Sequence, residues 1–267
     1  MNADARPQAS EPLLLCDRRG EVVRLTLNRP KQYNALSRAL VAELQQAIDD
    51  VSQDHTARVV VVAGTGRGFC AGHDLKEMRT DLSPAFQRPL FDECSRMMLS
   101  LTRMPQPVIA RVHGIAAAAG CQLVSMCDLA VASSEARFAV SGVTYGLFCS
   151  TPGVGLARNV GRKQAMEMLL TGEFISAETA LARGLINRVV PPEGLDAEVE
   201  ALAAAILAKS PAVVRLGKQA FYRQIEMGLD DAYEHASEVM TRNMEAEDAR
   251  EGIDAFIEKR APVWRGC

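Results

Sequence analysis

The stretch from His113 to Gly155, HGIAAAAGCQLVSMCDLAVASSEARFAVSGVTYGLFCSTPGVG, constrains the fold more than any other part of the chain. Strand-like PVIARVH (107–113) enters it at Gly114, and a run almost free of side chains follows from Ile115 to Gly120. Helical spacing then begins around Cys121, with Leu123, Val124 and Cys127. A backbone without bulky side chains can approach another backbone, or a ligand, closely. Two readings fit such a run. One is tight packing of a helix on small residues. The other is a row of N–H groups that lack an intrahelical acceptor, whose positive partial charge suits a developing oxyanion.

The flanking pattern is that of an α/β protein. Strand signals at Leu13–Cys16 and Val22–Leu27 with a turn at Arg18-Arg19-Gly20 predict a hairpin; Val23, Leu25 and Leu27 share one face. Ser37 is placed to cap a helix carrying Leu40, Val41, Leu44, Ile48 and Val51. RVVVVAG (58–64) reads as a strand buried on both faces and is expected to lie parallel to Val108–Val112. A loop, GTGRGFCAG (64–72), then reaches Asp74, a good N-cap. The loop lacks both the Gly-Lys-Ser/Thr ending of a P-loop and the GxGxxG fingerprint, which argues against nucleotide binding of those types. A long helix over 86–104 follows, with short strands near 129–132 and 138–140. Beyond Pro152 helices take over: 162–171 ending at Gly172, 177–183 capped by Ser176, and three or four amphipathic helices over 195–258. The chain thus divides into a lead (1–12) expected to be disordered, an α/β core (13–194) and a helical region (195–267).

Seven cysteines, an odd number without a CxxC pair or nearby histidine spacing, argue against a disulfide frame or a zinc site and for a reducing compartment. With an amino terminus that is neither basic nor apolar, the expectation is a cytoplasmic protein. A net charge of −3 offers no electrostatic footprint for nucleic acid or acidic membranes, and the apolar runs are shorter than a membrane span.

Several strings, NRPKQYNAL, GFCAGHDLKEM, VHGIAAAAGCQLVSMCDLAVAS, PGVG, AMEMLLTGEFISAETALARGLINRVV and EGIDAFIEKRAPVW, resemble the enoyl-CoA hydratase/isomerase (crotonase) superfamily and occur in its order from Leu13 to Trp264. Within it they look like the enoyl-CoA hydratase domain-containing subgroup. The resemblance implies a crotonase-like ββα spiral core with a C-terminal helical trimerisation region. It implies a trimer or dimer of trimers in fatty acid metabolism, acting on an acyl-CoA thioester. CoA would be part of the substrate, with no separate cofactor and no metal. The thioester carbonyl would rest against the backbone N–H groups of His73 and Ala119. Substrate contacts would come from Lys31, Gln32, Ala71, Asp74, Leu75, Lys76, Tyr145 and Cys149, and from Phe256 and Lys259 of a neighbouring subunit's last helix. Lys259 and Arg260 have a second reading, as cations complementing a helix C-terminus; His73 has one as a loop residue contributing only its backbone.

The sequence departs from this family where its hydratases place two glutamates, which here are Gln122 and Gly142. An amide cannot take up a proton at neutral pH and glycine offers nothing, so efficient hydration is not expected. The string GLFCSTPG (146–153) is also about three residues longer than the family's usual loop, bringing Tyr145, Cys149, Ser150 and Thr151 to the acyl position. Cys149 lacks an evident partner to activate it as a nucleophile. The sequence supports an enolate-stabilising lyase or isomerase, or alternatively a catalytically weak acyl-CoA-binding protein. An RNA-binding role would require a basic patch that a pI near 5.9 does not offer.

Overall fold

A computed structural model describes residues 11–267; most of the lead expected to be disordered lies outside them. The hairpin forms from β1 (Leu14–Arg19) and β2 (Val22–Leu27), paired from Leu14↔Leu27 to Arg19↔Val22. β1 is longer than its apolar residues alone predict. Its side chains after Leu14 are exposed, and what extends it is the two-residue turn at Gly20-Glu21, where Gly20 takes a φ of +60°. Once that turn fixes the register, Asp17–Arg19 pair through their backbones whatever their side chains prefer.

Helix α1 (Arg38–Gln53) starts where Ser37 Oγ accepts the Leu40 N–H, and it buries Leu40, Val41, Leu44 and Ile48. Strand β3 (Val59–Gly64), helices α2 (Leu75–Thr80) and α3 (Pro84–Arg103), and strand β4 (Val108–Val112) follow. β3 and β4 are parallel neighbours, Val60 beside Val108. The small-residue run divides between strand β5 (Ile115–Ala117) and helix α4 (Ala119–Met126), which starts two residues before its periodic apolar residues. After β6 (Leu129–Ser133) and β7 (Arg137–Ala139) come α5 (Ser150–Asn159), α6 (Arg162–Thr171), β8 (Ile175–Ser176), α7 (Ala177–Ala182) and β9 (Arg188–Val190). Helices α8 (Leu195–Leu207), α9 (Pro211–Gln224), α10 (Leu229–Met244) and α11 (Glu247–Glu258) complete the described chain.

The strands form a six-stranded sheet, β1-β2-β3-β4-β6-β9, and a three-stranded one, β5-β7-β8. Among the described residues only β1 pairs antiparallel in the first sheet. Each turn of the chain adds one strand to the large sheet, then a shorter extended segment to a second ladder, then a helix. β4, β5 and α4 make one such turn. Bridges Leu36↔His73 and Cys70↔Ala116 extend the second ladder to the preceding turns. The recurring ββα unit is thus the architecture. Alternate residues of the large sheet face two cores: Val60, Val62, Val108 and Ala110 join the main one, while Val59, Val61, Ile109 and Val131 pack beneath α8. This is why β3 reads as an unbroken apolar run.

Helix α9 is tied to the core by a buried cation. Lys218 Nζ donates to the carbonyls of Leu101 (2.7 Å) and Gln106 (2.8 Å) and to Asp128 Oδ2 (2.7 Å), which also accepts the Val108 N–H. Burial pushes the Lys218 ammonium pKa down despite Asp128. Three acceptors for three N–H groups satisfy it.

Candidate active site

The floor of the site is built from two backbone segments forced together by glycine. Gly72 lies so close to the start of α4 that a Cβ there would meet Ala118 Cβ at 2.9 Å, the Ala117 carbonyl at 3.0 Å and the Ala119 nitrogen at 3.1 Å. A Cβ on Gly120 would meet the Cys70 carbonyl at 2.0 Å. On one segment Leu36 donates to the Gly72 carbonyl and Asp74 to the Leu36 carbonyl, so the pairing consumes the groups on either side of the His73 N–H but not that N–H itself. On the other, Ala118 holds φ 47° and ψ −117°, conformations that normally fall to glycine, and starts α4 without a side-chain cap. The Ala119 N–H is one of the helix's first orphans. Among the described residues neither the His73 nor the Ala119 N–H donates to a protein acceptor. Both residues line one cleft of about 780 Å³, the size of a small-molecule site.

The loop carrying His73 is positioned by Asn34, which sequence reasoning passed over. Asn34 is wholly buried with φ 55°. Its Nδ2 serves the carbonyls of Thr65 (2.8 Å), Gly68 (2.8 Å) and Phe69 (3.1 Å), while Oδ1 accepts the Arg29 N–H. The available signal was an asparagine, tolerant of the left-handed region, ahead of a helix cap.

Of the expected contacts, Lys31, Gln32, Ala71, His73, Asp74, Leu75, Lys76, Ala119, Tyr145 and Cys149 all line this cleft, as does Gly142. Gln122 does not: it lies on α4 one turn beyond Ala119, buried, its Oε1 without a partner. Phe256 and Lys259 lie away from the cleft of their own chain, on α11 and at its C-cap. Phe256 is 85% exposed, and Arg260 pairs with Glu251 and Glu258.

Three lining groups, Asp74, Cys149 and His73, are each held back from acting as a base. Asp74 caps α2 through the N–H groups of Lys76 and Glu77 and pairs with Arg29 at 2.9 Å. Burial works to raise its pKa, but the Arg29 hydrogen bond and the cap together hold it below the usual value. Cys149 is a buried thiol whose pKa burial pushes up, and its Sγ accepts the Gly142 N–H at 3.2 Å. The His73 imidazole is pushed down to about 4 by burial, so it is neutral at pH 7. At position 142 the loop over 146–149 fills the space into which a side chain would project. Leu147 donates to the Gly142 carbonyl, and a Cβ on Gly142 would meet the Leu147 carbonyl at 2.4 Å and Cys149 Sγ at 2.7 Å. Ser150, expected as loop, instead begins α5.

Comparison with known proteins gives this geometry its family. The model of the Enoyl-CoA hydratase/isomerase family matches residues 17–267. The Xenopus laevis protein named enoyl-CoA hydratase domain-containing protein 3, mitochondrial, is 47% identical over 95% of this chain and 86% of its own length. A crystal structure described as an enoyl-CoA hydratase from Mycobacterium smegmatis superposes with a TM-score of 0.94 at 58% identity, covering 95% of this chain and 99% of that one. The human enoyl-CoA hydratase domain-containing protein 3 structure gives 0.92 at 43% identity over 95% and 100%. The chain belongs to the enoyl-CoA hydratase/isomerase family and has the crotonase fold.

One expectation is corrected by these relatives. Those from five vertebrates, 43–47% identical, are all named mitochondrial, which overturns the cytoplasmic placement. Free thiols, seven of them here, separate oxidising from reducing compartments, not one reducing compartment from another. Among the described residues no helix is long and apolar enough to cross a membrane, and no group of His, Cys, Asp and Glu is arranged to hold a metal.

Proposed function

We propose that the chain binds an acyl-CoA thioester in this cleft and stabilises the enolate of its acyl group with the backbone N–H groups of His73 and Ala119. The observation that carries this reading is the pair of unpartnered N–H groups on two touching backbone segments at one cleft. Preorganised donors of this kind contribute about 3 to 4 kcal/mol each to a developing oxyanion. Lys31 and Lys76, exposed on the rim, suit the phosphates of CoA, and Phe256 and Lys259 of a neighbouring copy would complete that end. CoA is part of the substrate; no further cofactor is invoked.

Hydration and double-bond isomerisation each need a positioned base, and neither Gln122 nor Gly142 supplies one. Losing general acid–base catalysis costs roughly 10² to 10⁴-fold per group. Reactions needing only the oxyanion site, such as decarboxylation of a malonyl-type thioester, avoid that loss. The seating of Leu147 and Cys149 over Gly142 favours a second reading, a binder of acyl-CoA with little turnover. An enolisable 3-oxoacyl-CoA tests the common core of both: on binding, its ultraviolet absorbance is expected to shift toward the enolate. Binding without that shift would remove the oxyanion role, and no binding would remove the acyl-CoA reading. Crotonyl-CoA hydration is expected to fall well below the roughly 10 s⁻¹ typical of enzymes.

A further inference from the structure

We propose that Arg29 is a positioning residue for the oxyanion site: its guanidinium braces the two backbone segments that aim the His73 N–H into the cleft. This rests on the enolate-stabilising reading above. Arg29 does not line the cleft. It lies behind the wall, with 16% of its side chain exposed, and its fork divides between two segments. Nη1 donates to the Ala35 carbonyl, and Nη2 donates to Asp74 Oδ2 at 2.9 Å.

Those two acceptors flank the pairing that sets the direction of the His73 N–H. The Gly72 carbonyl and the His73 N–H belong to one planar trans peptide, so they point opposite ways. Leu36 donates to that carbonyl at 2.7 Å, and Asp74 donates to the Leu36 carbonyl at 3.1 Å. The His73 N–H is thereby turned away from residue 36. Its tilt then depends on how firmly residues 35 and 74 are held, one on each segment of the pairing, and Arg29 holds both. The Arg29 backbone is fixed in turn by Asn34, whose Oδ1 accepts the Arg29 N–H at 2.9 Å and whose N–H donates to the Arg29 carbonyl at 2.9 Å.

Stability alone does not account for this pair. Asp74, like Arg29, is largely out of water, its side chain 15% exposed, and well-packed apolar side chains in place of such a pair are often no less stabilising. What they lack is a planar fork that ties a carbonyl and a carboxylate at once, a geometry that an ammonium on a flexible stem does not reproduce either.

The test reads the absorbance of the bound ligand, which a loss of stability alone does not move, because only folded protein binds. 3-Oxobutyryl-CoA and free CoA, which has no thioester carbonyl, are titrated into the full chain and into Arg29→Met and Arg29→Lys. The wild-type protein is expected to prefer the 3-oxo thioester to CoA and to show the enolate band. Arg29→Met is expected to lower that preference by about ten- to a hundredfold, the upper figure being the cost of a misplacement of about 1 Å, and to weaken the band per bound ligand. Losses in contacts to the shared CoA portion cancel in the ratio. Arg29→Lys keeps a cation for Asp74 without the fork, and it is expected to fold and to fall short of the wild type in both readings. A wild-type preference and band in Arg29→Lys overturn the proposal, whether or not Arg29→Met folds. If the wild-type protein binds 3-oxobutyryl-CoA without the band, the oxyanion reading falls and takes the role of Arg29 with it. If the band is present in the wild type and in the variants alike, the role of Arg29 alone falls.

Discussion

At residue 142 the absence of a side chain is a structural requirement. The loop residues Leu147 and Cys149 occupy the volume into which any β carbon would project, so the loop and the glycine depend on one another. Gly142→Ala is expected to destabilise the protein by about 1 to 3 kcal/mol through overpacking, read as a lower midpoint in urea. For the same reason Gln122→Glu combined with Gly142→Glu is expected to gain no crotonyl-CoA hydratase activity in a coupled assay, because the second carboxylate displaces the loop before it can position water. His73 makes a second prediction. Its folded pKa of about 4 lies below the ordinary 6.5, so the unfolded chain binds the proton first and stability falls as pH drops from about 6.5 to about 4. The gap corresponds to roughly 3 kcal/mol. Urea titrations across that window should show the wild-type protein losing about this much more than His73→Leu, a comparison that cancels the other titrating groups. Equal slopes would mean the imidazole is hydrated in the folded state.

At the scale of elements, the positions that local chemistry dictates were legible and those that distant contacts dictate were not. Ser37 and Asp74 cap the helices they precede, and Gly172 ends α6 in the left-handed region, because a cap needs only its own few residues. The length of β1 was not legible, since it follows from a register set at Gly20. Nor was the filling of position 142, since nothing local says that the loop folds back five to seven residues. The shared cleft of His73 and Ala119 followed from the family's pattern, whereas the shielding of His73 Nε2 required knowing that Phe91, on α3, stands beside the ring. Asn34 shows the same limit: its side chain holds three carbonyls of a loop more than thirty residues away. Asn34→Leu leaves those acceptors unpaired, at about 1 to 3 kcal/mol for a buried group, and frees the segment leading to His73. The expected outcome is a loss of stability of roughly 3 kcal/mol together with weakened acyl-CoA binding. Unchanged affinity in a variant so destabilised would show that the loop is positioned by other contacts.

For the whole molecule, the unsettled surface is the one presented by the last helices. On α10, Leu229, Tyr233, Met240 and Met244 fall at spacings of four, seven and four, which is one helix face, and they are 74%, 70%, 60% and 56% exposed. On α11, Ile253, Phe256 and Ile257 repeat the pattern at 45%, 85% and 69%. Scattered apolar residues on a surface need no explanation, but two adjacent helices each carrying an apolar stripe do, because soluble monomers rarely expose large contiguous apolar patches. None of the residues of either stripe belongs to the two buried cores of the described chain. The stripes are therefore free to be covered by other copies, and the same contact would bring Phe256 and Lys259 to a neighbour's cleft. The wild-type protein is expected to run as a trimer or dimer of trimers in light scattering at micromolar concentration. Tyr233→Glu with Met240→Glu puts two carboxylates into that face without touching either buried core, so the α/β core is expected to stay folded by circular dichroism while the mass falls to that of one chain. Acyl-CoA affinity should fall with it, because the cleft loses the residues of its neighbour. A wild-type monomer, or a variant that dissociates and keeps full affinity, would show that each cleft is complete within its own chain.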